Sequence, residues 1–203
     1  MQEQEVIRIL QKDLKFTDLS IDKLKMLETE LLKANKKHNF ISQSTEKLIW
    51  SRHILDSAQL VKFINFKVGS LSDLGSGAGF PGLVLAIYNQ NFNFHVKLYE
   101  KSPVKRDFLN EIIGKLKIKA SLFSNVFDEK IESNYIICRA FKKLDKIIQV
   151  SREIAKKPHK LLILKGQNAQ EESIKAFKSY KYSYKLEKSM TDEKSKILIA
   201  DIF

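Results

Sequence analysis

The stretch richest in chemistry runs Asp73-Leu74-Gly75-Ser76-Gly77-Ala78-Gly79-Phe80-Pro81-Gly82, where an apolar segment gives way to a helical one. Closely spaced glycines let a chain turn sharply and bring its backbone against a ligand with no Cβ in between. Pro81 suits the first turn of a helix, where its missing N–H costs nothing, and the free amides of that turn would face the ligand. Three clustered glycines, from a total of 7 in the chain, cost conformational entropy unless something requires them. A ligand-free turn is therefore the weaker reading.

The same residues fit two ligands. Residues 77–82 satisfy G-x-G-x-x-G, the nicotinamide-dinucleotide fingerprint, and Glu100 follows at about the expected 20 residues. With either ligand an acid at the end of the second strand accepts hydrogen bonds from ribose hydroxyls, so Glu100 does not discriminate. The earlier start of the glycine run at Gly75 and the acid Asp73 before it do. Beside a pyrophosphate Asp73 is repulsive, whereas it could meet the cationic methionine end of S-adenosylmethionine.

A strand must deliver Asp73 and a helix must leave from Pro81. Residues 68–74, 94–99, 120–124, 135–138 and 161–164 are short apolar runs of the kind shown by parallel strands buried on both faces. Helical stretches at 81–88, 104–116, 144–155 and 170–177 alternate with them, which predicts right-handed βαβ units and a doubly wound sheet. Residues 183–190 and 196–202 then read as strands joined by a turn at 191–194, an antiparallel hairpin. A mostly parallel seven-stranded sheet ending in such a hairpin is the S-adenosylmethionine-dependent methyltransferase form of the α/β class, not the dinucleotide form. Upstream, Val6, Ile9 and Leu10 share one helix face. Leu24, Leu27 and Leu31 share another after Ser20 as N-cap, and a third helix is predicted over 44–64. The chain thus divides into a helical part, 1–65, and a methyltransferase core, 66–203.

The 203 residues are 43% hydrophobic, enough for one sizeable core. A single cysteine, Cys138, excludes a disulfide framework, and no Cys/His cluster has the spacing of a zinc site, so no metal is expected. Cys138 sits in an apolar run and reads as a buried thiol. The amino terminus lacks the apolar stretch of a signal peptide, and nothing approaches the roughly 20 apolar residues of a membrane span. The expectation is a soluble, cytoplasmic monomer. A net charge of +12 and a pI near 9.6 suit a polyanionic partner. Abundant Lys, Ile, Asn and Phe also follow from an AT-rich genome, so the charge permits nucleic acid without locating a site.

Arg139 and Lys165 lie just past two predicted strands, at the carboxyl ends where ligands of open α/β sheets bind. Ordinary surface salt bridging is the plain alternative for each. Phe141 could stack on a splayed base or simply pack in the core. His53 on a predicted helix is more often a packed residue than a catalyst. Arg52, His53 and Asp56 read as elements fixing the amino-terminal helices against the ligand pocket.

Asp73 to Gly82, with Arg52-His53-Ile54-Leu55-Asp56-Ser57 upstream and Arg139-Ala140-Phe141 downstream, resembles the 16S ribosomal RNA guanine-N7 methyltransferase G family, also called glucose-inhibited division protein B. Asn39-Phe40-Ile41-Ser42, Lys105-Arg106 and Leu164-Lys165-Gly166 match in order, so the resemblance spans most of the chain. It implies S-adenosylmethionine as donor and 16S ribosomal RNA, or the small ribosomal subunit, as partner. It also implies donor binding by Gly75, Phe80, the Val126-Phe127 position and Arg139. Phe127 departs from the family, whose members often carry an acid there; Asp128 or Glu129 could substitute, or the adenine contact could be apolar. Methyl transfer from a sulfonium is an in-line displacement, so the enzyme must mainly align its reactants. Guanine N7 presents a lone pair at neutral pH and needs no general base. Arg139 and Lys165 are the candidate catalytic residues; Asp73, Gly75, Gly77, Gly79, Phe80, Glu100, Val126, Phe127 and Arg139 are the candidate donor contacts. The rivals are a nicotinamide-dependent oxidoreductase and a non-catalytic ribosome-binding module.

Overall fold

The computed structural model describes residues 1–128, 130–178, 180 and 182–203. Its elements are α1 (Glu3–Lys12), α2 (Asp18–Asn35), α3 (Gln43–Glu46), a π-helix (Ile49–Leu55), α4 (Asp56–Ala58), a 3-10 turn (Gln59–Phe63), β1 (Gly69–Leu74), α5 (Gly82–Tyr88), β2 (Phe94–Tyr99), α6 (Pro103–Lys115), β3 (Ala120–Phe123), β4 (Tyr135–Arg139), α7 (Leu144–Ile154), β5 (His159–Lys165), α8 (Ala169–Phe177), β6 (Tyr184–Lys188) and β7 (Lys196–Ile202).

The sheet has seven strands in the order β3-β2-β1-β4-β5-β7-β6. The first five run parallel to one another, and β7 runs antiparallel between β5 and β6. Inserting the last strand inside the edge excludes the all-parallel order of a dinucleotide-binding sheet. The run Ile197-Leu198-Ile199-Ala200 is apolar throughout because β7 is an interior strand, buried on both faces.

Successive residues of β4 and β5 face opposite layers. Ile137 and Leu162 join a cluster with Val6, Leu10, Leu27 and Leu83, which fastens the amino-terminal helices and α5 to one face. Ile136, Cys138, Leu161 and Ile163 join Ile147 and Ile148 on the other face, under α7. Each buried Leu or Ile contributes about 1.5–3 kcal/mol, so burial seats both helical layers. Cys138 is fully enclosed, and burial pushes its thiol up, away from thiolate chemistry.

Two expectations fail locally. The cap of α2 is Thr17, whose Oγ1 accepts from Ser20 N at 3.2 Å; Ser20 lies inside the helix and donates to Ile87 O at 3.2 Å, docking α2 on α5. The single helix predicted over 44–64 is instead α3, a π-helix, α4 and a 3-10 turn. The wide π turn frees carbonyls for other use: Ser57 Oγ donates to His53 O at 2.6 Å, and a guanidinium from β4 reaches Arg52 O.

Candidate active site

At the carboxyl end of β1 the chain leaves the sheet with Gly75 at φ +73°, Gly77 at +58° and Gly79 at +96°. The loop is tied to β2: Gly75 N and Ser76 N both donate to Tyr99 O at 2.9 Å, and Gly77 N donates to Glu100 Oε2 at 2.8 Å. Glu100 Oε1 accepts from Ser102 N at 2.8 Å, which fixes the carboxylate at the rim. A Cβ on Gly75 would fall 2.7 Å from the Phe141 ring, and one on Gly79 2.3 Å from Leu83. At Gly77 the nearest atom would be Gly75 O at 3.9 Å, so a Cβ there would enter open space, strained only by its left-handed backbone.

This loop floors a cavity of about 530 Å³ over the ends of β1, β2 and β4. Of the expected donor contacts, Gly75, Gly77, Phe80, Glu100, Val126, Phe127 and Arg139 line it. Val126 is buried, and Phe127 is exposed with Lys101 Nζ 5.9 Å from its ring centre, so an apolar wall stands where an acid was one alternative. Asp128 does not line the cavity, and its carboxylate accepts from Ser124 Oγ and Asn125 Nδ2, both at 3.0 Å. Glu129 lies outside the described residues.

Three expected site residues stand apart from the cavity. Gly79 is turned into Leu83. Asp73 is wholly buried beneath the loop and, far from meeting a ligand's cation, clamps the turn: its Oδ2 accepts from Gly82 N at 2.9 Å, while Oδ1 has no partner among the described residues. Burial raises this carboxyl to about 7. Lys165 opens onto neighbouring surface grooves, and its ammonium is paired with Glu172. Sequence spacing put Lys165 at the right strand end but could not reveal this partner.

Arg139 joins the two halves of the chain. Its Nη1 donates to Arg52 O at 3.0 Å, its Nη2 to His53 Nδ1 at 2.7 Å, and Asp56 Oδ2 lies 3.8 Å from Nη1. The guanidinium also sits 5.5 Å from the Phe80 ring, on which His53 is tilted at 5.0 Å. Asp56 in turn accepts from Gln59 Nε2 at 2.9 Å and Thr191 Oγ1 at 3.1 Å, binding the hairpin turn into the network. Burial raises the Asp56 carboxyl, with Arg139 opposing.

Burial, then the charges of Arg139 and Arg52, hold His53 down at about 3, so its ring is neutral and accepts Arg139 through Nδ1. Its Nε2 is buried without a partner among the described residues. The unfolded imidazole takes a proton below its ordinary 6.5 while the folded one resists to about 3, so this residue subtracts stability as pH falls through that window. The loss reaches up to about 1.4 kcal/mol per pH unit. Asp73 acts in the opposite sense between its ordinary 3.8 and about 7, so the two must be separated by comparison. Urea unfolding of wild type and His53→Gln between pH 7 and 5 should show the variant's stability falling less steeply; parallel curves would mean the folded imidazole titrates normally.

Sequence reasoning missed Asn35. It occupies the next place in the stripe Leu24, Leu27, Leu31, and is buried there. Its side chain donates to Ile41 O at 3.1 Å and Glu46 Oε1 at 2.5 Å and accepts from Phe40 N and Ile41 N at 2.8 and 3.0 Å. That places Phe40, Ile41 and Ser42 along the cavity wall. A polar residue in an apolar stripe was the available signal. Among the described residues no group of three or more His, Cys, Asp or Glu side chains converges to hold a metal ion.

The fold finds counterparts among known proteins. The chain superposes on a SAM-dependent methyltransferase from Aquifex aeolicus with a TM-score of 0.61 at 14% identity, covering 85% of this chain and 98% of that one. On M. jannaschii TYW2, solved in complex with AdoMet, the TM-score is 0.53 at 17% identity, covering 76% and 77%. These likenesses concern the fold. In sequence, the chain is 39% identical over 180 residues to the ribosomal RNA small subunit methyltransferase G of Rickettsia typhi, covering 88% of this chain and 92% of the relative. It is 34% identical over 181 residues to that of Pelagibacter ubique, covering 86% and 83%. Residues 20–199 match the family described as rRNA small subunit methyltransferase G, and with the glycine loop, Glu100 and Arg139 converging on one cavity, the chain belongs to that family.

Proposed function

We propose that this protein transfers a methyl group from S-adenosylmethionine to N7 of a guanine in 16S ribosomal RNA. One observation carries the reading: a glycine loop with open space above Gly77 and an acid at the end of β2 face the same cavity, in a sheet whose last strand is inserted antiparallel. The residues present fit this donor. Gly75 and Gly77 offer bare backbone to its methionine end, Glu100 offers acceptors for ribose hydroxyls, and Val126 and Phe127 offer an apolar wall for adenine. Arg139 offers a cation for its carboxylate, with donors to spare beyond the two that His53 and Arg52 hold. Bound there, S-adenosylmethionine supplies a methyl activated by a sulfonium.

No residue need remove a proton, since N7 attacks through a free lone pair. The chain's task is to align the base and exclude water. Ala140 takes a left-handed φ of +51°, which turns Phe141 back over Gly75, where it can stack a splayed guanine beside the donor. Residues 1–65 act as the cover of the core 66–203, contributing Phe40, Ile41 and His53 to the cavity. Among the described residues no helix is long and apolar enough to cross a membrane. Action on ribosomal RNA fits a cytoplasmic enzyme, and all the donor contacts named above come from one chain, as a monomer would have them.

The test combines ligand protection with methyl transfer. S-adenosylhomocysteine at about 100 times its Kd should stabilise the fold by about 2.7 kcal/mol, with no response to NADH. Labelled methyl should appear in protein-free ribosomal RNA or in small subunits, and the modified base should be N7-methylguanine. Protection by NADH instead would support an oxidoreductase, and donor binding without transfer to either substrate would support a non-catalytic ribosome-binding module.

A further inference from the structure

Beside the donor cavity, and sharing Ala140, Phe141 and Lys142 with it, a groove of about 940 Å³ opens between α7 and α8. Lys142, Lys143, Lys146, Lys165 and Lys175 line it, against the acids Asp145 and Glu172. Glu172 is spent on Lys165. The other four lysines are exposed and have no ion pair among the described residues; Lys146 Nζ donates only to Gln149 Oε1 at 2.9 Å. Like charges gathered in one concavity repel unless a polyanion neutralises them. The amino end of α7 opens into the same groove with no side chain capping it, which adds a partial positive charge. Tyr180 also lines the groove, its ring 5.9 Å from Tyr182 and 5.5 Å from the Arg152 guanidinium.

A second basic hollow, lined by Lys23, Lys117, Lys119 and Phe92, shares no residue with the donor cavity, and its Lys23 and Lys119 already donate to Lys117 O at 3.4 Å and Phe92 O at 2.7 Å. The hollow between α2 and α6 mixes Lys33 and Lys37 with Glu30, Asp107 and Glu111. The one beneath Arg52 has its Arg52, Arg139 and Lys165 already paired with Asp192, Asp56 and Glu172.

We infer that a single strand of the substrate RNA runs along the groove between α7 and α8, its phosphates held by Lys143, Lys146 and Lys175 and a base resting on Tyr180. Unpaired lysines with an interleaved aromatic make the combination that binds single strands. Phe141 stands where groove and cavity meet, so a base leaving the strand there enters the donor site. This inference rests on the reading of the chain as an RNA methyltransferase.

The experiment measures binding of a short single-stranded RNA oligonucleotide, without donor, across a range of salt concentrations. The proteins are wild type, Lys143→Gln/Lys146→Gln/Lys175→Gln, and a charge-matched control, Lys12→Gln/Lys25→Gln/Lys36→Gln, on exposed faces of the amino-terminal segment. Each lost phosphate contact flattens the slope of log K against log salt by about 0.7 for single strands. The groove variant should therefore lose about 2 from that slope and bind at least about tenfold more weakly at low salt, while the control stays near wild type. S-adenosylhomocysteine titration runs in parallel. Equal slopes for both triples, with donor binding intact, would overturn the groove alone; failure of wild type to bind the donor would overturn the methyltransferase reading, which the RNA slopes do not measure.

Discussion

Arg139→Ala should lower single-turnover methyl transfer by about 10²–10³-fold, the usual loss when a preorganised charge is removed from a reacting site. The variant should also be less stable, because Arg139 is a brace as well as a candidate ligand. Its removal strips Arg52 O of a donor and leaves the half-buried Asp56 carboxylate without its cation. That costs roughly 2 kcal/mol, which in a chain this size lowers Tm by about 4–8 °C. Transfer must accordingly be measured well below the new midpoint. Arg139→Lys separates the roles: it restores a charge near Asp56 but not the two-pronged hold on Arg52 and His53, so stability should recover more than rate. Transfer at the wild-type rate by folded Arg139→Ala would confine this residue to bracing.

The reach of the sequence can be judged from such residues. Gly75, Gly77 and Glu100 were legible because strand, turn and acid follow one another along the chain, and local spacing dictates where they meet. The hairpin was legible because two strand-like segments flank a short turn, and with it the choice between two nucleotide folds. The partner of Lys165 was not legible, because Glu172 lies one turn into α8, whose direction only the packed helix sets. Asp73 was read as facing a ligand because sequence shows a charge but not its depth; the sheet end and Gly82 enclose it. The π-helix is likewise invisible to periodicity, since its wide turn is held by contacts from β4 and Ser57 that arrive only on folding.

Gly77→Val should weaken S-adenosylhomocysteine binding at least about 100-fold, or about 2.7 kcal/mol, with a smaller effect on the fold. Two consequences of the backbone decide this. At φ +58° a side chain carries a left-handed penalty of about 1–2 kcal/mol, and a branched one stands at the upper end. The new Cβ meets no protein atom closer than 3.9 Å, so the bulk projects into the space meant for the donor and not into the core. Gly75→Val would be a poorer test, since its Cβ would collide with Phe141 at 2.7 Å and perturb the packing first. Calorimetric titration at a temperature where both proteins are folded decides the matter: undiminished affinity would remove the loop from the binding site.

The shared apolar cluster under the first helices has a consequence for anyone dissecting this enzyme. Val6, Leu10, Leu24 and Leu27 lean on the same layer as Leu71, Leu83 and Leu98, and Asn35 shapes one wall of the reaction chamber from outside the sheet. A shortened protein beginning at β1 would therefore lose a greasy underside and part of its chamber together. Cofactor affinity and solubility should fail in step along a series of amino-terminal deletions, and grafting a foreign leader onto the sheet would swap out part of the enzyme's own reaction vessel.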